Sequence, residues 1–151
     1  MQVFNNGYIT LHHADARQLP TPNESIDCVV TSPPYWGLRD YGLEGEGMGL
    51  ESTPDLYVQN MVEVFREVWR VLKPTGTVWL NLGDSYVGTG HKGEYTDPYY
   101  REGRNGQAIA LNNKVNGLKS KDLVGIPWRV AFALQADGWY LRSDIIWSKT
   151  N

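Results

Sequence analysis

The stretch from Thr53 to Gly76 narrows most what this chain can fold into. Val58, Met61, Val62, Phe65, Val68, Trp69 and Leu72 recur at helical spacing, the mark of a helix that buries one face. Thr53 suits the N-cap, Pro54 suits the first turn, and Pro74-Thr75-Gly76 ends the run. Apolar, β-branched runs flank this helix at about 26–31 and 76–82, and further strand-like stretches fall at about 8–13 and 139–147. A second helix is predicted at about 126–136, with Pro127 at its start and Gly138 just past its end. Strand, helix, strand, helix, strand predicts an α/β fold built on a parallel sheet. The stripe on the first helix is core and carries no chemistry.

Chemistry gathers instead where the second strand ends. Ile26-Asp27-Cys28-Val29-Val30 runs into Thr31-Ser32-Pro33-Pro34-Tyr35-Trp36, and open α/β sheets build their sites at the carboxyl ends of their strands. Ser32 offers a hydroxyl oxygen and Pro33 a carbonyl as acceptors. The two prolines fix φ near −65° and bias the preceding residue to extended backbone. Acceptors held in place before a substrate arrives are what electrostatic preorganisation requires. Tyr35 adds a face on which an unstacked base can lie. The set suits methyl transfer to the exocyclic amine of a nucleic-acid base, a weak nucleophile whose protons must be drawn off and whose lone pair must be aimed. Four residues by themselves leave a Ser-Pro phosphorylation site, a Pro-Pro partner ligand or a plain turn equally open.

Further stretches widen the pattern. Tyr8-Ile9-Thr10-Leu11-His12-His13-Ala14-Asp15-Ala16 is a strand ending in an acidic residue. Val71 through Asp84 gives a helix end, a turn and a strand. Gly125-Ile126-Pro127-Trp128-Arg129 through Ile145-Ile146-Trp147 gives a helix and a strand. In this order, with Ser-Pro-Pro-Tyr near the N-terminus, the chain resembles the amino-directed DNA methyltransferases that make N4-methylcytosine and N6-methyladenine. The resemblance implies a Rossmann-like S-adenosylmethionine-dependent methyltransferase fold. It makes Ser32, Pro33, Pro34 and Tyr35 the catalytic set and gives Asp15 a contact to the cofactor's adenine. Double-stranded DNA is the implied substrate, and cytosine N4 is favoured over adenine N6 because serine opens the motif.

In that family subgroup a Phe-x-Gly-x-Gly loop cradles the methionine end of S-adenosylmethionine, and it comes later in the chain. Gly45-Glu46-Gly47-Met48-Gly49 is the nearest match here, but it neither follows a strand nor opens a helix, and Glu46 would repel an anion. Residues 1–151 are therefore expected to form the catalytic half of a methyltransferase domain with a partial sheet. The C-terminal half of the same enzyme is the expected partner, and the chain alone is expected to be inactive. The other possibility is a remnant that folds or binds DNA and transfers nothing.

Composition bounds the remainder. The chain has 151 residues and a net charge of −3, so a single domain is expected. Residues 1–90 hold 5 basic and 11 acidic side chains, whereas residues 91–151 hold 9 and 6. Lys92, Arg101, Arg104, Lys114, Lys119 and Lys121 mix with Tyr95, Tyr99 and Tyr100. The stretch from 83 to 120 thus reads as a long flexible insertion suited to phosphate contact and stacking, or as a solvated loop. No apolar run is long enough to span a membrane, and no signal segment opens the chain, so a cytoplasmic protein is expected. Cys28, the single cysteine, is expected in the core. His12, His13 and Asp15 have the wrong spacing for a shared metal ion. Trp36, Arg39, Asp84 and Trp147 are candidates for the base pocket or for DNA contact. Asp84 could equally cap a helix, Arg39 could pair with Asp40, and core packing is the default for Trp139 and Trp147.

Overall fold

A parallel strand pair joined by one long helix organises the structure, a computed structural model that describes residues 2–38, 47–88 and 115–148. Strands β1 (Gln2–Asn5), β2 (Thr10–His12), β3 (Ile26–Thr31) and β4 (Leu72–Leu80) accompany helices α1 (Pro54–Val71) and α2 (Ile126–Ala136). β3 and β4 pair in parallel, and α1 is the crossover between them.

α1 starts as its sequence dictates. Thr53 is extended, and its side chain accepts a 3.2 Å hydrogen bond from the Leu56 amide. Tyr57, Met61, Val64, Phe65, Val68 and Val71 are buried along one stripe. The end of the helix differs from expectation. Leu72 enters β4 directly, so Pro74-Thr75-Gly76 lies inside the strand. Ile26 faces Leu72 and Cys28 faces Thr77, so β4 spends five positions where β3 spends two. Proline cannot donate to the ladder, and an irregularity of this kind accommodates it.

α2 spans the residues expected and packs against α1. Both helices share a core with Trp36, Val87, Val124 and Ile126, and Val29, Val78 and Leu80 of the strands pack against it. Trp139 follows α2 and meets Phe65 and Trp69 edge-on, at centroid separations of 6.1 and 4.8 Å. Arg66 pairs with Asp137 across the helices. Arg70 donates to the Leu19 and Thr21 carbonyls and to the Asn23 side chain, which fastens the segment before β3 to α1.

Three expectations are corrected. The first strand is short and pairs antiparallel with β1 as a separate two-stranded sheet. Asn5 and Asn6 side chains accept the Gly7, Tyr8 and Ile9 amides in the turn between them, a local signal that favours a hairpin. Residues 139–147 form no strand, because nothing among the described residues offers them a ladder. Cys28 is exposed rather than buried, since it lies on the face of β3 that no helix covers. At the ends of the long 83–120 connection the Val87 amide donates to the Asp122 carbonyl, the Lys121 amide to the Val87 carbonyl, and the Val124 amide to the Ser85 carbonyl. Residues 89–114, with most of the basic and tyrosine side chains, lie outside the described residues. Among the described residues the fold is mixed α/β with two small sheets. No helix among the described residues is long and apolar enough to cross a membrane.

Candidate active site

β3 carries the chain to the carboxyl end of the parallel pair. There the Asn81 amide donates to the Thr31 carbonyl at 2.9 Å, which extends the pairing just past β4. The residues after β3 and those after β4 therefore leave the sheet side by side, and the Ser32-Pro33-Pro34-Tyr35 turn sits at that exit. Ser32 is exposed, and Pro33, Pro34 and Tyr35 are half-buried. The Ser32 and Tyr35 hydroxyl oxygens are 3.2 Å apart.

Three supports hold this turn. From α1, the Tyr57 hydroxyl donates to the Pro34 carbonyl at 2.9 Å. Burial pushes the Tyr57 hydroxyl well above the ordinary tyrosine range, with the nearby Glu51 carboxylate acting in the same direction, so it stays protonated as a donor. From the exit of β4, Gly83 lies under the Tyr35 ring. A Cβ there would come within 2.7 Å of the ring, so only glycine allows this approach. From the segment before α1, Gly49 accepts the Gly37 amide at 2.7 Å. Gly49 has φ +96°, and its own Cβ would strike the Tyr35 carbonyl at 2.9 Å.

Glu51 ties these supports together. One carboxylate oxygen accepts the Gly49 amide, the other accepts the Asn60 side-chain amide, and the Glu51 carbonyl accepts the Trp36 indole, all at 2.9 Å. Ser85 donates to the Trp36 carbonyl at 2.6 Å. Among the described residues none donates to the Pro33 carbonyl. The turn thus carries two acceptors, Ser32 Oγ beside the Tyr35 hydroxyl and the Pro33 carbonyl oxygen, on a backbone fixed from three sides.

The other candidates separate from this turn. Trp36 is 1% exposed, so its ring fills the core and does not line an open pocket. Asp84 takes the helix-cap role: its carboxylate accepts the Gly125 and Ile126 amides at 2.9–3.0 Å, which holds the N-terminus of α2, and also the Ser85 amide at 2.8 Å. Trp147 is 79% exposed, not packed in the core, whereas Trp139 is packed. Arg39 lies outside the described residues. Asp15 belongs to the turn after the β1–β2 hairpin. Its carboxylate accepts three hydrogen bonds from the Arg17 guanidinium and one from the Arg17 amide, which draws its pKa down to about 2. No cluster of metal-ligating side chains occurs among the described residues.

S-adenosylmethionine needs acceptors for its adenine and ribose and backbone donors for its carboxylate. Asp15, the residue expected at the adenine, is committed to Arg17, in the turn after a hairpin that shares no sheet with β3 and β4. The described residues do not by themselves build the cofactor's cradle.

Tyr57, Glu51 and Gly83 are the site residues that the sequence reading passed over. Tyr57 could have been found: it sits four and seven positions before Met61 and Val64 on the buried stripe, and a buried tyrosine hydroxyl needs a partner. Glu51 and Gly83 act on the turn from distant parts of the chain, and no local pattern marks them.

Comparison with known proteins converges on the same region. Type II methyltransferase M.XycI of Xanthomonas campestris pv. cyanopsidis is 53% identical over 146 residues, covering 94% of this chain and 47% of its own length. M.SmaI of Serratia marcescens is 52% identical, over 85% of this chain and 43% of its own length. M.Cfr9I of Citrobacter freundii is 49% identical, over 94% and 47%. The chain thus spans about half the length of the curated relatives it matches. No solved structure matches it. The DNA methylase family model, for N6 and N4 methylases, matches residues 26–151, from the first residue of β3 onward and including the braced turn. With that match and those relatives, the chain belongs to the amino-directed DNA methylases.

Proposed function

We propose that this chain supplies the amine-orienting half of a DNA methyltransferase with a Rossmann-like fold, which acts on a base flipped out of duplex DNA. The observation that carries the proposal is the braced turn: two acceptors beside an aromatic ring, fixed by Tyr57, Gly83 and Gly49. In this reading the exocyclic amine donates one N–H to Ser32 Oγ and the other to the Pro33 carbonyl, which aims the nitrogen lone pair away from both. Tyr35 stacks against the base and holds its plane. No strong base is required, because the amine proton becomes acidic only after the methyl has been attached. Positioning of this quality can supply about 7–11 kcal/mol of the barrier. S-adenosylmethionine, as the methyl donor, would present an electrophilic methyl group, and its binding falls to the other half of the enzyme. That half is the expected partner, alongside double-stranded DNA, and the cytoplasm is the expected setting.

Cytosine N4 is the favoured target and adenine N6 the alternative. Methylation by this chain combined with the portion of the Xanthomonas relative that the match leaves uncovered, followed by mass spectrometry of the nucleosides, tests both. N4-methylcytosine that disappears with Ser32→Ala supports the reading. N6-methyladenine with the same loss changes the base and keeps the site. Wild-type methylation by Ser32→Ala removes the turn from the chemistry. The engagement of Asp15 with Arg17 favours a second reading, a fold that binds DNA without transferring a methyl group. Duplex binding with no methyl incorporation in the combined enzyme would select it.

A further inference from the structure

Among the described residues Glu51 is the one buried side chain that carries a charge, at 9% exposure. Burying a carboxylate costs stability unless its oxygens are satisfied, and a well-packed apolar side chain would fill the same space at lower cost. No lysine or arginine among the described residues forms an ion pair with it. Both oxygens accept from neutral amides instead. Oε2 accepts from the Gly49 backbone and Oε1 from the Asn60 side chain on α1, each at 2.9 Å. A buried carboxylate whose acceptors are aimed in two fixed directions, with no cation to balance it, calls for a role in geometry.

Gly49 shows what that role is. Its Cα lies against the turn: a Cβ there would come 2.9 Å from the Tyr35 carbonyl oxygen and 3.3 Å from the Pro34 Cβ. Its carbonyl accepts the Gly37 amide, two residues past Tyr35. Any shift of Gly49 is therefore felt by the backbone of the turn. We infer that Glu51 is a positioning residue for methyl transfer. By locking Gly49 to Asn60 of α1, it sets the backbone of Pro34 and Tyr35, and with it the direction of the Pro33 carbonyl and the tilt of the Tyr35 ring. The Glu51 backbone carbonyl, which accepts the Trp36 indole, is a separate bond that any side chain at position 51 would keep. The inference rests on the reading of the turn as the amine-orienting site, and it adds a buried network, away from the substrate, on which that geometry depends.

The pattern of donors and acceptors matters here more than the charge, and that pattern can be exchanged between the two side chains. In Glu51→Gln the new carbonyl accepts the Gly49 amide, and the new amide donates to Asn60 once that side chain turns over. Asn60→Asp sets two carboxylates face to face, and the double variant E51Q/N60D restores a donor between them. The chain combined with the uncovered portion of the Xanthomonas relative is assayed for kcat and for the KM of S-adenosylmethionine. Glu51→Ala and Asn60→Asp should each lower kcat about tenfold or more with KM unchanged, since small misplacements of a positioned group cost at least this much. Glu51→Gln and the double variant should recover most of the loss. Amide exchange, read by NMR on the 151-residue chain itself, gives a second readout that needs no methyl transfer. Gly37 should exchange about tenfold faster in Glu51→Ala and Asn60→Asp, while the Trp36 indole N–H stays protected. Full turnover by Glu51→Ala, a double variant no better than Asn60→Asp, or a fall in kcat with Gly37 exchange unchanged would overturn the inference. Should Glu51→Ala misfold and expose the Trp36 indole, the comparison of Asn60→Asp with the double variant decides alone. Should the unaltered enzyme transfer no methyl group, the amine-orienting reading falls, and Gly37 exchange across the same variants decides whether Glu51 sets the turn.

Discussion

The two ends of the expected active site are built very differently. The Ser32–Tyr35 turn is held from α1, from the exit of β4 and from Gly49, each contact crossing many residues of sequence. Asp15 is held by its near neighbours, its carboxylate by Arg17 and its carbonyl by the Gln18 amide, and its side chain is half exposed. Long-range contacts make a geometry that survives the loss of any one local preference. A local pair in water is worth little and reorganises easily. The difference teaches which part of the expected site this stretch of polypeptide specifies by itself: the turn that we propose holds the base amine is braced by distant residues, whereas Asp15, expected at the cofactor, is engaged by a neighbour in sequence.

Breaking the braced end should have the largest effects. Tyr35→Ala removes the stacking platform, and in an active methylase containing this segment it should weaken flipped-base binding by about 1–3 kcal/mol. The fluorescence of 2-aminopurine at the target position reports that loss, and an unchanged signal would take Tyr35 out of the base pocket. Tyr57→Phe keeps the ring in the core but leaves the Pro34 carbonyl without its donor, at a cost of about 1–3 kcal/mol for an unsatisfied buried group. Turnover should fall while cofactor affinity holds. Loss of thermal stability with full turnover would show that the bond serves folding alone.

Asp84→Ala probes a support farther from the chemistry. Without the carboxylate the first amides of α2 lose their cap, and denaturant unfolding should report about 0.5–2 kcal/mol less stability. Asp15→Asn should have the smallest effect, within about 0.5 kcal/mol, as expected for an exposed position. Its pH dependence has a definite sign. A carboxylate whose pKa is depressed to about 2 stabilises the fold above its unfolded pKa and loses that contribution as pH falls toward 2. NMR titration of Asp15 should therefore find its midpoint below the ordinary value of 3.8, by the small margin that solvent screening leaves to an exposed pair, and a midpoint at 3.8 would mean that the Arg17 pairing does not persist in solution.

Sequence sufficed wherever a local pattern decides the structure. The stripe from Val58 to Leu72 and the caps around it located α1, and Pro127 with Gly138 located α2. Ile26–Thr31 was legible as a strand, and the turn after it as the place where polar acceptors gather. Tertiary context decided the rest. Pro74-Thr75-Gly76 reads as a stop, yet pairing with β3 carries the strand through it. Cys28 reads as core because it lies in an apolar run, yet only one face of that run is covered. Residues 139–147 have strand composition but no ladder among the described residues. Trp36 reads as a pocket residue because it follows the turn, and the Glu51 carbonyl draws its indole inward instead.

Calorimetric titration of the 151-residue chain with S-adenosylmethionine tests most directly the claim that this chain builds the amine side of the site and not the cofactor side. The expected result is binding no tighter than about 1 mM, roughly −4 kcal/mol, unchanged by Asp15→Ala. Micromolar affinity that Asp15→Ala abolishes would contradict the account, since it would place a working cofactor site on the very residues that the structure leaves to a local ion pair.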